Sequence, residues 1–360
     1  MSVATGLAVG RIARPDLAQA AVSLAMEQLG VATANSVLLF LTAEFARDPV
    51  PALRAAARAA NCTQVIGCSA PGVFTDQDWA VDAPAAAAMV MAGGLALLPR
   101  QSPLHTDLLM TLAAPNAITA DWFDVPGQRF GGIAGDATGQ GPFSVWRSGK
   151  GAPDGHCEVA IHGATGFVGV AHGVQTLFEA KPVTAARGFD LVFLGGKPAL
   201  ETLQQACVGL DELEPLPLHR LMAGIADSVE GIRHGHYRLA ALIGVNEQDC
   251  SVTLAREALP GQLVFWALRD TGAAQQDLQR VLQETQTQLG AKPEFGLMFS
   301  CLGRGPYFYR GVDLDIDLVR SELPGMPLIG FYGNGEIAHI NGQNELLQYS
   351  AVLGLFHGTV

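Results

Sequence analysis

The chain has 360 residues, 49% of them hydrophobic and 16% charged, with a formal net charge of -12. These values describe a folded protein with an extensive core, long enough for two domains, and they exclude a disordered chain. The acidic balance, without any basic stripe, argues against nucleic acid as a partner. The longest apolar tract, Ala83 to Leu98, carries Pro84 and falls short of the roughly 20 strongly apolar residues of a membrane span. Arg11, Arg14 and Asp16 precede any sustained apolar run, so no secretory signal is expected. Cysteines occur singly, at Cys62, Cys68, Cys157, Cys207, Cys250 and Cys301, which fits free thiols in a reducing compartment, the cytoplasm.

Helices and strands alternate along the chain. Asp16 to Leu29 reads as a helix with Leu17, Ala21, Leu24 and Ala25 on one face and Gly30 as its stop. Ser36 to Leu41 is a continuous apolar strand of the kind buried on both faces. A second helix runs from Pro51 to Ala60, and Thr63 to Gly67 is the next strand. Short strands follow at Glu158 to His162, Phe167 to Ala171 and Asp190 to Leu194. Pro198 opens a helix that closes near Gly209, and strands recur at Leu239 to Gly244 and Gln262 to Leu268. Thr271 to Leu289 is the clearest helix, with Leu278, Val281, Leu282 and Leu289 inward and Gly290 as the stop. The fold class is α/β or α+β, with mixed sheets flanked by helices. The acidic, proline-punctuated stretch Glu212 to Leu218 marks a junction near residue 211, giving domains 1–210 and 211–360.

A repeat links the two halves. Leu38-Leu39-Phe40 precedes Ile66-Gly67-Cys68-Ser69, and Leu297-Met298-Phe299 precedes Ile329-Gly330-Phe331-Tyr332. The spacing from Gly72 to Met89 equals that from Gly335 to Val352, each ending in another apolar run. A third glycine-rich turn, Phe130-Gly131-Gly132-Ile133-Ala134-Gly135-Asp136, has related texture. This predicts two similar α/β halves whose glycine turns face a common cleft.

The chemistry-bearing residues gather at strand ends near the C-terminus. Phe299-Ser300-Cys301-Leu302-Gly303-Arg304-Gly305 places a thiol and a guanidinium in a turn with free amide groups, an arrangement that holds a carboxylate. The same residues also fit a structural thiol and an arginine bridging to an acid. In Gly330-Phe331-Tyr332-Gly333-Asn334-Gly335-Glu336-Ile337, Glu336 is suited either to a ligand amine, beside Asn334, or to Arg304 itself. Ser69 joins Cys301 on the rim of the expected site.

His162 and His172 lie in a glycine-rich run where two strand histidines would ligate haem iron, or simply hydrogen-bond within a sheet. His234 and His236, and the Cys62/Cys68 pair, lack the partners of a zinc site, so no metal is expected. Cys301 with His339 as base is a second alternative, a cysteine hydrolase, which needs a third group to orient the base; nothing local resembles a nucleophile elbow. Neither a phosphate-binding lysine loop nor a dinucleotide fingerprint is present.

The turns Ser300 to Gly305 and Gly330 to Ile337, with Tyr349-Ser350-Ala351-Val352-Leu353 after them, resemble the FIST family's C-terminal domain. Val65 to Ser69, Gly131 to Asp136, Ala171-His172-Gly173 and Leu194 to Leu200 are similar to its N-terminal domain, so the resemblance covers roughly residues 30–357. It implies a sensory, ligand-binding module of signal transduction that takes small molecules such as amino acids. Some stand-alone bacterial members are haem proteins that sense nitric oxide through a partner histidine kinase, and eukaryotic members carry an F-box. This chain has no room for an F-box or kinase, so its output is expected to pass through a partner. Ala240-Ala241 stand where the family's pattern has an Arg-Asn pair. The expectation is a non-enzymatic cytoplasmic sensor with Arg304 clamping a ligand carboxylate, Glu336 and Asn334 its amine, and Ser69 and Cys301 the rim; haem, held by His162 and His172, is the alternative cofactor.

Overall fold

The structure is a computed structural model that describes residues 2–99, 108–119, 122, 125–152, 154–208, 210 and 218–359. It forms two compact units, one of residues 1–171 with 278–360 and one of residues 172–277. The chain is therefore cut elsewhere than at the expected 210/211 boundary, and the stretch 211–217 lies outside the described residues. The class is mixed α/β, as the alternation predicts. Among the described residues no helix is long and apolar enough to cross a membrane, and all six cysteines are free thiols.

The first unit repeats one strand pattern three times. The first copy comprises β1 (Val3–Val9), α1 (Pro15–Leu29), β2 (Ser36–Thr42), α2 (Val50–Ala59), β3 (Val65–Ala70), the hairpin β4 (Gly72–Thr75) and β5 (Trp79–Val81), and β6 (Ala85–Met91). The second comprises β7 (Ala96–Pro99), β8 (Leu108–Ala113), β9 (Gln128–Ile133), the hairpin β10 (Val145–Arg147) and β11 (Lys150–Gly151), and β12 (His156–His162). The third opens with β13 (Ala164–His172), at whose end the chain enters the second unit.

That unit holds β14 (Val174–Thr176), β15 (Lys181–Arg187), β16 (Asp190–Leu194), β17 (Lys197–Pro198), α3 (Ala199–Ala206), β18 (Leu221–Ala226), α4 (Val229–Arg233), β19 (Tyr237–Asn246), β20 (Ser251–Leu254) and β21 (Leu263–Arg269). The strand order β21-β15-β16-β20-β19-β18 closes on itself through antiparallel pairing of β18 with β21, forming a six-stranded barrel. Closure removes the unpaired edges an open sheet would expose. Its interior holds Leu194, Ile225, Val252, Val264 and Trp266, and α3 adds Leu200 and Leu203. The Trp266 indole N–H donates to Thr202 Oγ1 at 2.9 Å, satisfying the ring's buried polar atom.

The third repeat resumes with α5 (Thr271–Leu289), β22 (Phe295–Cys301), α6 (Leu314–Glu322), β23 (Leu328–Gly333), the hairpin β24 (Glu336–Ile340) and β25 (Gln343–Leu347), and β26 (Ser350–Gly358). Each repeat builds one sheet from a central parallel pair, β2/β3, β8/β9 or β22/β23. The last strand of the repeat runs antiparallel to the first of that pair. Each hairpin leaves its own sheet for another: β4/β5 joins the third, β24/β25 the second and β10/β11 the first. The two expected α/β halves are thus three interlocked repeats within one unit.

A shared glycine makes the hairpin exchange possible. Gly67, Gly131 and Gly330 sit opposite Leu39, Thr111 and Met298 in the three parallel pairs. A Cβ on each would lie 1.7, 1.9 and 1.8 Å from the neighbouring carbonyl oxygen. The incoming hairpins set Trp146, Ile337 and Phe74 opposite these three glycines. Gly67 and Gly330 therefore lie inside strands that continue to Ala70 and Gly333, where the sequence suggested turns.

The inner faces of the three sheets share one core. Phe40, Phe130, Phe299 and Phe331 meet there, with Phe40 and Phe331 rings 4.8 Å apart and Phe299 and Phe331 5.4 Å apart, edge to face. β6 shows why its tract is apolar throughout: Ala85, Ala87, Met89 and Met91 face this core while Ala86, Ala88 and Val90 face α1 and α2. On the third sheet α5 and α6 cover Met298, Leu328, Leu353 and Leu355.

Candidate functional site

The parallel strands of the three repeats end together. Gly135 N–H donates to Ser69 O at 3.2 Å, Asn334 N–H to Ile133 O at 3.1 Å, Ile133 N–H to Gly335 O at 2.8 Å, and Leu302 N–H to Gly333 O at 2.9 Å. This chain of backbone bonds ties the ends of β3, β9, β22 and β23 into one floor. Four expected residues, Ser69, Cys301, Asn334 and Glu336, belong to it. Gly135 lacks a side chain because the Asn334 amide occupies the space, 2.3 Å from where a Cβ would stand. In α/β sheets the carboxyl ends of parallel strands are where ligands bind.

The side chains on this floor differ in what they can offer. Ser69 is fully buried, and its Oγ accepts from Ser144 N–H at 3.0 Å. It alternates with Cys68 and Ala70, which face the central core, so it points outward and is committed to the strand-preceding segment of the second repeat. The expected rim role of Ser69 is therefore corrected to a structural one. Cys301 ends β22 on the inward side, in step with Leu297 and Phe299, and keeps 8% exposure. Asn334 is half-buried.

Glu336 is 0% exposed. It shares the inward side of β24 with Ala338 and Ile340, which lie in the central core. Its Oε2 accepts from Ser350 N–H at 3.3 Å, while Oε1 is buried without a hydrogen-bond partner. Burial pushes its carboxyl well above the usual range, outweighing the Ser350 N–H and the positive charge of Arg304.

Arg304 is 1% exposed and its fork is already taken. Nε donates to Asp315 Oδ2 at 2.7 Å and one terminal nitrogen to Asp315 Oδ1 at 3.2 Å, while the other donates to Ala171 O at 2.7 Å. Tyr309 O–H adds a 2.7 Å bond to Asp315, and Tyr332 O–H bonds Asp313. Asp313 also caps α6 by accepting from Ile316 N–H at 2.9 Å. Burial, then the neighbouring Asp315, raises the Asp313 carboxyl to about 6. The expected clamp on a ligand carboxylate is corrected on this geometry: a guanidinium bidentate to a buried aspartate has no second fork to present.

The acids Asp313 and Asp315 were not singled out from sequence. Their signal is the Asp-Leu-Asp-Ile run just upstream of an amphipathic segment, a helix N-terminus rich in acid. Ser350 entered the sequence reading only as part of a closing strand, because what it gives Glu336 is a backbone group, which no residue type announces.

The two histidines expected to hold haem have different surroundings. His172 is fully buried in the second unit, its ring stacked on Tyr237 with centroids 4.1 Å apart and Nε2 2.9 Å from Gly235 O. An imidazole donating to a carbonyl and covered by a tyrosine face offers iron no lone pair there. His162 is exposed at the end of β12 in the first unit. His339 lies on the outward side of β24, opposite to Glu336, with Nδ1 3.1 Å from Asn344 Oδ1. Among the described residues no three His, Cys, Asp or Glu side chains are grouped to hold a metal.

A cleft of about 440 Å³ opens at the other ends of the same strands, beside Lys292, Glu294, Met326, Pro327 and His357.

Comparison with known proteins places these residues in context. An uncharacterized protein of Mycobacterium tuberculosis strain H37Rv is 26% identical over 385 residues, covering 97% of this chain and 99% of that protein. An uncharacterized protein of Mycobacterium bovis is 26% identical over 380 residues, covering 97% and 98%. Human F-box only protein 22 is 49% identical over 43 residues, which is 12% of this chain and 11% of that protein. Residues 199–339 match the model of the FIST C domain, a segment that includes Cys301, Arg304, Asn334 and Glu336. The resemblance to the FIST family is thus shown over that segment, as a match to its C domain.

Proposed function

We propose that this chain is a non-enzymatic, cytoplasmic sensor that binds an amino acid or a similar small metabolite at the carboxyl ends of the parallel strands in the first unit. Glu336, Asn334 and Cys301 are the side chains that contact the ligand. The observation that carries this function is the Glu336 carboxyl, fully buried with Oε1 unpartnered, at the point where the three repeats are bonded together. A buried polar atom without a partner costs about 1–3 kcal/mol, and a bound ligand, ion or water is what removes that cost. Output passes through a signalling partner such as a histidine kinase. Haem gains no support from His172, whose ring is engaged within its own unit.

Isothermal titration of the full chain against the standard amino acids tests the assignment. Saturable binding by the wild type, weakened about tenfold or more by Asn334→Ala without loss of folding, is expected. No heat with any member of the panel, or unchanged affinity in the variant, contradicts it.

A further inference from the structure

We propose that Glu336 is kept in the core to bind the protonated amine of a compact ligand, at the expense of the fold's own stability. This inference rests on the sensor function above and names the end of the ligand that the site recognises.

The threefold repeat supplies an internal control. The hairpin residues opposite Gly67, Gly330 and Gly131 are Trp146, Phe74 and Ile337. One position earlier, opposite Cys68, Phe331 and Gly132, stand Val145, Val73 and Glu336. Both valines lie in the central core, at 4% and 0% exposure, on the inward side that Glu336 shares. The fold therefore asks for a medium-sized apolar side chain here and receives one twice. In the third repeat it carries a carboxyl, fully buried, with one oxygen unsatisfied. Desolvating that group gains nothing for the fold, and residues that break a fold's local rule in this way mark functional sites.

The atoms left over identify the ligand's chemistry. Oε2 is occupied by Ser350 N–H, while Oε1 has no partner. A carboxylate-binding guanidinium is not on offer, since Arg304 is spent on Asp315 and Ala171 O. Complementarity therefore runs to a cationic donor: the charge of a protonated amine favours the ionised carboxylate, so the proton that burial retains in the empty site leaves as the ligand enters and Oε1 gains a charge-assisted bond. Asn334, two residues from Glu336, adds an amide that can accept from the same group or donate to its neighbour. An amine should bind whether or not its molecule carries a carboxylate.

Matched pairs test this directly: alanine with ethylamine, histidine with histamine, and lysine with cadaverine, titrated into the full-length wild type, Glu336→Val and Glu336→Gln. Glu336→Val copies the other two repeats and should melt about 2–4 °C higher. The amine of the best pair should bind the wild type within about threefold of its amino acid, with binding lost in Glu336→Val and weakened about tenfold or more in Glu336→Gln. Equal binding by wild type and Glu336→Val would mean that a buried water is all that Oε1 holds, and overturns the proposal. A lower melting temperature for Glu336→Val would make the residue structural and also overturns it. Amino acids binding where their amines do not leaves the sensor function standing and removes amine recognition. Silence across every pair and the wider amino-acid panel removes the sensor function itself.

Discussion

The first and third repeats share strand order, an exchanged hairpin and a close-approach glycine, yet they treat polar groups in opposite ways. At the end of β2 the first repeat has Leu41 packed against α1 and α2; the register puts Ser300 at the same place in β22, buried with Oγ unpartnered. Opposite them stand Ser69 and Tyr332, and Tyr332 opens onto Asp313, Asp315, Tyr309 and Arg304. On the inward side Val73 is exchanged for Glu336. The first repeat shows what the fold requires, and the third shows what has been added to it. Where identical topology tolerates apolar side chains in one copy, polar ones in another need a reason beyond folding.

The largest effect should come from breaking the ion pair of the third repeat. Arg304→Ala leaves Asp315 buried beside Asp313 without a counter-charge and should cost about 3–5 kcal/mol in denaturant unfolding. An effect near zero would mean that water reaches the network and that the contrast with the first repeat is superficial.

Next is the pH dependence of Asp313. Its folded carboxyl, raised to about 6 by burial and Asp315, lies above an unfolded value near 3.9. The protonated acid is thus favoured in the fold: the contribution is fully present below about pH 4 and is lost as pH rises through 6. Wild-type stability relative to Asp313→Asn should fall by about 2–3 kcal/mol between pH 4 and pH 7. A flat difference, or one of opposite slope, would show that Asp313 is solvated or fully compensated by Tyr332.

Tyr332→Phe removes one donor to Asp313 while Ile316 N–H remains, so a loss of about 1–2 kcal/mol is expected. The smallest effect belongs to an exposed pair in the first repeat. Arg14 and Asp16 stand 3.6 Å apart at 70% and 64% exposure, so Arg14→Ala should change stability by less than about 0.5 kcal/mol.

Local patterning revealed individual elements well. Asp190–Leu194 and Thr271–Leu289 run as their apolar spacing and flanking glycines predict, and Gly30 closes α1 in the left-handed conformation with its N–H on Met26 O. What stayed hidden was long-range. Hairpin exchange depends on which sheet accepts β4/β5 or β24/β25, and nothing in Gly72–Thr75 or Glu336–Ile340 names its acceptor. The second repeat was nearly invisible because, among the described residues, a short 3-10 turn, Pro115–Ala117, stands after β8 where the others have a helix after the first parallel strand. The inserted barrel interrupts the third repeat between β13 and α5, which conceals its symmetry with β1 and α1. The candidate site was legible as residue types at strand ends. Its division of labour was not, because the partner of Arg304 sits eleven positions away on a helix that sequence patterning did not resolve.

Mass spectrometry of small molecules released on denaturing the purified protein tests the central claim most directly. Wild-type protein should release a compact amine-bearing metabolite in near-stoichiometric amount, and Glu336→Val, folded and at least as stable, should release none. Recovery of the same molecules from both proteins, or of none from either after exposure to a cell extract, would contradict a ligand held by that carboxyl.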